Sequence, residues 1–294
     1  MDVRDLRFTD WVFVVAAAAV VVAGGLALFS PSPPGSATHS THQRAADLVP
    51  AAHGDGLSDN ESGYRLEQVT TPGTRGDAVP VAFRVIGPDG LPRTGFRENQ
   101  TKQLHLFAVR DDMHVFRHVH PTLVGDEWHT ALDLPDGGAY RMFVEFVPHD
   151  TADPRHPVVL GVPFSVPGDT TLVPVPAPGA EAVTSGGFTV TRVDEPVTPT
   201  ALRPQRLRFA VRAPDGEPVR ALDPHLGAYG HMTGFHTVLL SATHLHPLEP
   251  LGVPLTGGEL SFQAVFAERG EHRLFLEFSH GGSTHTAAVT VEVV

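Results

Sequence analysis

The sequence predicts an all-β protein made of two copies of one unit, and three observations carry the prediction. Residues 83–121 align with residues 209–247 without a gap, so that Phe83-Arg-Val-Ile-Gly-Pro-Asp-Gly-Leu-Pro falls on Phe209-Ala-Val-Arg-Ala-Pro-Asp-Gly-Glu-Pro. Similarity on that scale means that one folding unit is repeated. Prolines (27) and glycines (29) are too frequent for long helices and suit short strands joined by turns. Strand-like runs also recur in the same order in both copies, and neither copy contains a helical period.

Residues 1–10 read as a cytoplasmic N-terminus, and residues 11–29 are uncharged and almost wholly apolar. At about 1.5 Å per residue this run nearly crosses a hydrocarbon core ~30 Å thick. Arg4 and Arg7 precede it and the next basic residue is Arg44. The positive-inside rule then leaves the rest of the chain outside the cytoplasm. A retained transmembrane anchor is favoured over a cleaved signal peptide, because the run is long and Asp2, Asp5 and Asp10 dilute its charged start. Residues 30–63, rich in Ser, Pro, Gly, Ala, Thr and His, read as a flexible stalk.

Repeat one spans residues 64–168, with strands expected over Val79–Ile86, Leu104–Val109, Phe116–His120, Trp128–Leu134, Tyr140–Val147 and Pro157–Val166. The first leads into Pro-Asp-Gly, where Pro sets φ and Gly accepts a positive φ. Trp128–Leu134 and Tyr140–Val147 read as a hairpin around Pro135-Asp-Gly-Gly. Residues 169–181, with alternating Pro and Val, form a stiff linker. Repeat two, residues 182–294, has strand signals at Leu207–Arg212 and His285–Val293. Seven or so short strands per unit of ~100–115 residues suggest tandem immunoglobulin-like β-sandwiches.

Composition narrows the function. The net charge is -12 and Lys102 is the single lysine, so no basic cluster exists to meet nucleic acid or an anionic membrane surface. With no cysteines there are no disulfides, thiolate zinc sites, iron–sulfur clusters or blue-copper centres. The chain has no H-E-x-x-H, no G-x-S-x-G and no phosphate loop, and no enzyme is expected.

What the chain does carry is a repeated histidine element, H-x12-H-x-H-P. His105, His118, His120 and Pro121 fall on His231, His244, His246 and Pro247. A β core has no need of imidazole, and three at fixed spacing point to a metal site. Residues i and i+2 of a strand share a face, so His118 and His120 do. If the two strands pair across a tight turn at Asp111-Asp112, His105 lies opposite His118 and three rings converge. In repeat two, Thr237-Val-Leu-Leu240 replaces that polar turn, so the facing of His231 and His244 is open there.

His149 and His280, just after the shared Phe-x-Glu-Phe, are candidate further ligands. Glu145 and Glu277 are candidate acceptors for a ring N–H. Met113 and Met232 would add a soft ligand, but they are not at equivalent positions. His129, His156, His225 and His272 read as outer-face histidines. Because imidazole must be neutral to coordinate, binding is expected to weaken below about pH 6. The competing reading makes the histidines hydrogen-bonded elements of strand packing in a structural or adhesive module.

Leu104-His-Leu-Phe…Phe116-Arg-His-Val-His-Pro and Leu226-Gly-Ala-Tyr-Gly-His…His244-Leu-His-Pro resemble actinobacterial envelope proteins often labelled heavy-metal-binding. More loosely they resemble YtkA-like and CopC-like β-sandwich domains. The resemblance covers residues 64–294, and the His-x-His-Pro element is its specific part. It implies a membrane-tethered, extracytoplasmic protein that handles copper or a similar ion. Zinc is the competitor, and another envelope metal-handling protein is the expected exchange partner. The Thr237–Leu240 turn departs from the pattern.

Overall fold

The structure, a computed structural model, describes residues 54–152, 156–194 and 197–294, the His244 side chain excepted. The expected N-terminus, membrane anchor and most of the stalk, with its His39, His42 and His53, lie outside the described residues. Among the described residues no helix is long and apolar enough to cross a membrane.

The described residues are all-β, with every strand pairing antiparallel. Repeat one contains β1 (Asn60–Glu61), β2 (Tyr64–Thr70), β3 (Gly76–Ile86), β4 (Leu104–Arg110), β5 (Phe116–Val119), β6 (Thr122–Val124), β7 (Glu127–Leu134), β8 (Gly138–Phe146) and β9 (Val158–Val166). They form two sheets, β1-β2-β3-β7-β6 and β5-β4-β8-β9. Period-2 alternation sets the layers: Val81, Phe83 and Val85 of β3 and Leu132 and Leu134 of β7 meet Leu104, Leu106 and Ala108 of β4 and Met142, Val144 and Phe146 of β8. The Pro-Asp-Gly turn forms as expected, with Gly90 at φ 79° and its N–H donating to the Gly87 carbonyl at 2.9 Å.

The expected Trp128–Leu134/Tyr140–Val147 hairpin does not form. β7 pairs with β3 and β6, whereas β8 pairs with β4 and β9 in the other layer. The apolar faces of the two strands meet across the core from opposing layers, so Pro135-Asp-Gly-Gly crosses between sheets instead of joining neighbours. The Tyr140 hydroxyl donates to the Asp136 carbonyl at 2.8 Å across the corner.

Repeat two contains β10 (Glu181–Val183), β11 (Thr189–Arg192), β12 (Gln205–Arg212), β13 (His231–His236), β14 (Ala242–Pro247), β15 (Glu259–Ala264), β16 (Gly270–His280) and β17 (Ser283–Val293). Here β14 pairs with both β13 and β15, so the strands join in one eight-stranded sheet, β10-β11-β12-β15-β14-β13-β16-β17. It wraps a core that includes Phe209, Val211, Met232, Phe262, Leu274, Leu276, Phe278 and Val289. The linker is strapped to both repeats. Arg110 donates to the Thr171 carbonyl at 2.9 Å, Val173 N–H to Asp112 Oδ2 at 2.8 Å, and Gly179 N–H to the Thr290 carbonyl at 3.1 Å.

The feature that positions the site is a third core between the repeats. β4 and β13 are buried at every position, hence on both faces. Their second faces, with those of β5, β8 and β16, bring Phe107, Val109, Phe116 and Phe143 against Phe235 and Phe275. Phe116 stacks on Phe275 with ring centroids 4.2 Å apart, and Phe143 lies 4.9 Å from Phe235. Each such burial is worth about 1.5–3 kcal/mol, so the repeats are packed together rather than merely tethered.

Candidate metal centre

His105 follows from the alternation of β4. Leu104, Leu106 and Ala108 face the core of repeat one, so His105 and Phe107 face repeat two, and His105 is 1% exposed. The register differs from the expected one. Leu106 pairs with Val119 and Phe107 with His118, so His105 sits diagonal to His118 rather than opposite it. The reason is a longer turn: Arg110 N–H donates to the Val115 carbonyl and Met113 N–H to the Arg110 carbonyl, with Met113 at φ 60°. A diagonal pair remains within reach of long side chains. The ring centroids of His105 and His118 are 5.3 Å apart, those of His105 and His120 are 5.0 Å apart, and those of His118 and His120 are 4.8 Å apart. The three expected ligands of repeat one do converge.

Their hydrogen bonds define the chemistry. His105 Nε2 lies 2.9 Å from the Asn99 carbonyl, which can only accept, so Nε2 carries the hydrogen and Nδ1 of the neutral ring presents its lone pair. His105 Nδ1 lies 3.0 Å from His118 Nε2. The other nitrogen of that ring, His118 Nδ1, lies 2.6 Å from Glu277 Oε2, a residue of repeat two. His120 Nε2 is buried and has no hydrogen-bond partner. Burial, reinforced by the neighbouring His118, His105 and Lys102, holds the His120 ring neutral down to about 3. Burial also pushes the Glu277 carboxyl up to about 7, opposed by His225 and His105. The Asn99 carbonyl is presented by a tight turn whose central residues, Gln100 and Thr101, hold φ of 49° and 66°. For non-glycine residues that strain is of order 1–3 kcal/mol each, and it needs surrounding structure to hold it.

The repeat-two element is assembled differently. Its hairpin keeps the same register despite the apolar turn, with Met232 paired to Leu245, Thr233 to His244 and Phe235 to Ala242. His244 therefore holds the backbone position equivalent to His118. His231, 1% exposed, joins the repeat-one histidines: it stacks on His105 at 5.7 Å and 4°, and lies 4.7 Å from His118. His246 is half-buried and, among the described side chains, is not grouped with them. Among the described side chains two sets of potential ligand atoms result, each within 4.8 Å of one another: His105, His118 and His120, and His118, His231 and Glu277.

The other candidates fall away from this cluster. His149 is exposed, and its carbonyl accepts from Arg97. His280 packs on Phe188, with ring centroids 5.4 Å apart. Met232 is in the core of repeat two and Met113 in the inter-repeat core. Glu277 lies at a ring nitrogen, but of a histidine in the other repeat. Glu145, 3% exposed, is met by the Asn99 side-chain amide at 3.4 Å. Two histidines read as outer-face residues are not so placed. His272 is fully buried against Phe266. His225 bonds Ser279 Oγ through Nδ1 at 3.1 Å, and its Nε2 is buried without a partner. His225 occupies the repeat position of Asn99, so the internal alignment held the signal that marked it.

Residues 59–159 and 182–294 both match a domain described as a domain of unknown function, DUF8832. The chain belongs to the DUF8832 family. Among curated proteins no relative matches it. Solved structures similar to the DUF8832 chain include the Escherichia coli adhesin FdeC, at 14% identity and TM-score 0.26, covering 81% of this chain and 65% of that one. Domains 4 and 5 of the surface-layer protein SbsC align at 10% identity and TM-score 0.24, covering 78% and 98%. The bacterial integrin-binding protein invasin aligns at 12% identity and TM-score 0.24, covering 78% and 39%. Superpositions this loose carry no argument about function.

Proposed function

We propose that the protein binds a transition-metal ion, copper in preference to zinc, between its two repeats, for sequestration or delivery. One observation carries the reading. His105 Nδ1 and His118 Nε2 face each other at 3.0 Å while the second nitrogen of each ring is engaged elsewhere, and His120 Nε2 is buried beside them without a partner. With Glu277 ionised, His118 Nδ1–H donates to it, and lone pairs of two rings then confront one another. A metal ion or a shared proton resolves such an arrangement, and the metal reading takes the first. Two M–N bonds of ~2.0–2.1 Å at tetrahedral angles hold their nitrogens about 3.3–3.4 Å apart, close to the observed spacing. The Glu277–His118 contact supplies the carboxylate that fixes ring orientation at such centres. Imidazole ligands favour copper in the Irving–Williams order, and three protein ligands leave a position open for exchange. The anchor expected at 11–29 would hold the two β repeats outside the cytoplasm, as in the envelope proteins that the sequence resembles.

A second reading, a structural or adhesive module, has an observation of its own. With its carboxyl pushed up to about 7, Glu277 can hold a proton and donate it to His118 Nδ1. His118 Nε2–H then donates to His105 Nδ1, and His105 Nε2–H to the Asn99 carbonyl, a relay complete without an ion.

Calorimetric titration of the metal-free protein with Cu(II), Cu(I) and Zn(II) separates the two. The metal reading expects tight binding that is lost in a His118→Ala, His120→Ala double variant. Binding no tighter than that of scattered surface histidines, or stoichiometry unchanged in the variant, would leave the relay reading.

A further inference from the structure

The two ligand sets have one residue in common, His118, and they meet it from opposite ends of its ring. Nε2 faces His105, and Nδ1 faces Glu277. The residues that join His118 are His105 and His120 in one set and His231 and Glu277 in the other. We infer that the cleft between the repeats is a two-ion centre, with the His118 imidazole bridging a first ion at Nε2 and a second at Nδ1. The inference rests on the metal-binding reading above and extends it from one ion to two.

The chemistry of the second position is set by its donors. It offers one carboxylate oxygen and two imidazole nitrogens, a borderline set suited to Cu(II) or Zn(II) rather than to an oxygen-seeking cation. Occupying it requires the Nδ1–H proton of His118 to leave to solvent, so the ring becomes an imidazolate whose negative charge is shared by both ions. Glu277 then exchanges its hydrogen bond for a coordinate bond. The 2.6 Å contact must open by a few tenths of an ångström to the ~2.9–3.4 Å expected of two donors on one ion, a movement that side-chain torsions supply. His231 already lies with its ring 4.7 Å from that of His118. Two buried carboxyl groups flank the cleft, since Glu277 is 7% exposed and Glu145, at 3%, pairs across from His105 just as Glu277 pairs across from His231. The position exists only when the repeats are docked, because His118 comes from one repeat and His231 and Glu277 from the other.

The test is a Cu(II) titration of the full-length protein followed by electron paramagnetic resonance and elemental analysis. Two equivalents are expected. The signal should grow through the first and fall by more than half through the second, because an imidazolate couples the two spins antiferromagnetically. His231→Ala leaves the His105, His118 and His120 set intact, and should bind one equivalent with an undiminished signal. One equivalent in the parent protein, with a signal that plateaus, overturns the second ion while leaving the metal-binding reading in place. Two equivalents with full signal overturn the bridge. No tight copper at all overturns both readings.

Discussion

Replacing Glu277 by Gln separates its role in metal binding from its role in packing. The carboxylate is 7% exposed and lies 2.6 Å from His118 Nδ1. A hydrogen bond to a buried charged group is worth about 1.5–3 kcal/mol, a factor of roughly 10–150 in an equilibrium constant. Loss of such orienting carboxylates typically weakens metal binding about 10–100-fold, so the two ranges agree on about 30-fold. The structural reason is charge. A Gln oxygen can still accept from His118 Nδ1–H, but the neutral amide no longer raises the basicity of Nε2 as a carboxylate does, and turned over, its NH2 donates to Nδ1 in the metal-free protein. The same amide keeps the metal-free relay satisfied, so stability without metal should stay within about 1 kcal/mol of the parent. Cu(II) affinity by competition with a chelator, and urea unfolding with metal removed, give the two numbers. A change in affinity below threefold would refute the orienting role. A loss of 3 kcal/mol or so in metal-free stability would show instead that Glu277 serves the interface as a structural pair.

The remaining predictions concern the packing around the site. Phe235→Ala should cost about 3–5 kcal/mol in urea unfolding, because the ring is fully buried between Phe143 and Phe275 and the interface cannot collapse from both sides. An effect below about 1 kcal/mol would mean that the repeats do not depend on this core, whereas Val238→Ala, on a residue 80% exposed, should fall within about 0.5 kcal/mol. His272 is fully buried, and burial lowers its ring to about 4, offset in part by its hydrogen bond to the Gly270 carbonyl. The unfolded chain, at about 6.5, binds the proton more readily than the folded one, so stability is present above 6.5 and falls as pH drops toward 4. His272→Phe should make that acid limb shallower in metal-free protein followed by circular dichroism, the remainder belonging to His120 and His225, and an unchanged limb would assign the acid sensitivity elsewhere.

Much of the fold was legible because its signals are local. Alternation marked β3, β4 and β9 to within a few residues, and Pro-Asp-Gly marked a turn whose geometry needs glycine at positive φ. The β7–β8 hairpin was misread because a Pro-Asp-Gly-Gly corner looks alike whether it joins neighbours in one layer or crosses between layers. The register of β4 on β5 was misread by the length of one turn, where Met113 takes a positive φ without being glycine. The site was legible only in part, for the same reason of locality.

By itself the sequence determined that a unit is repeated, that its strands alternate, and that His118 and His120 share a face two residues apart. Those properties follow from covalent spacing and the period of a strand. Only the tertiary structure decided what covers that face. Alternation states that His105 and Phe107 lie together, but not that Phe235 and Phe275 lie against them. Nothing local joins His118 to Glu277, which are brought into contact by the packing of two sheets. Which surfaces pair depends on apolar area and shape summed over both repeats, and no single stretch of chain contains that sum.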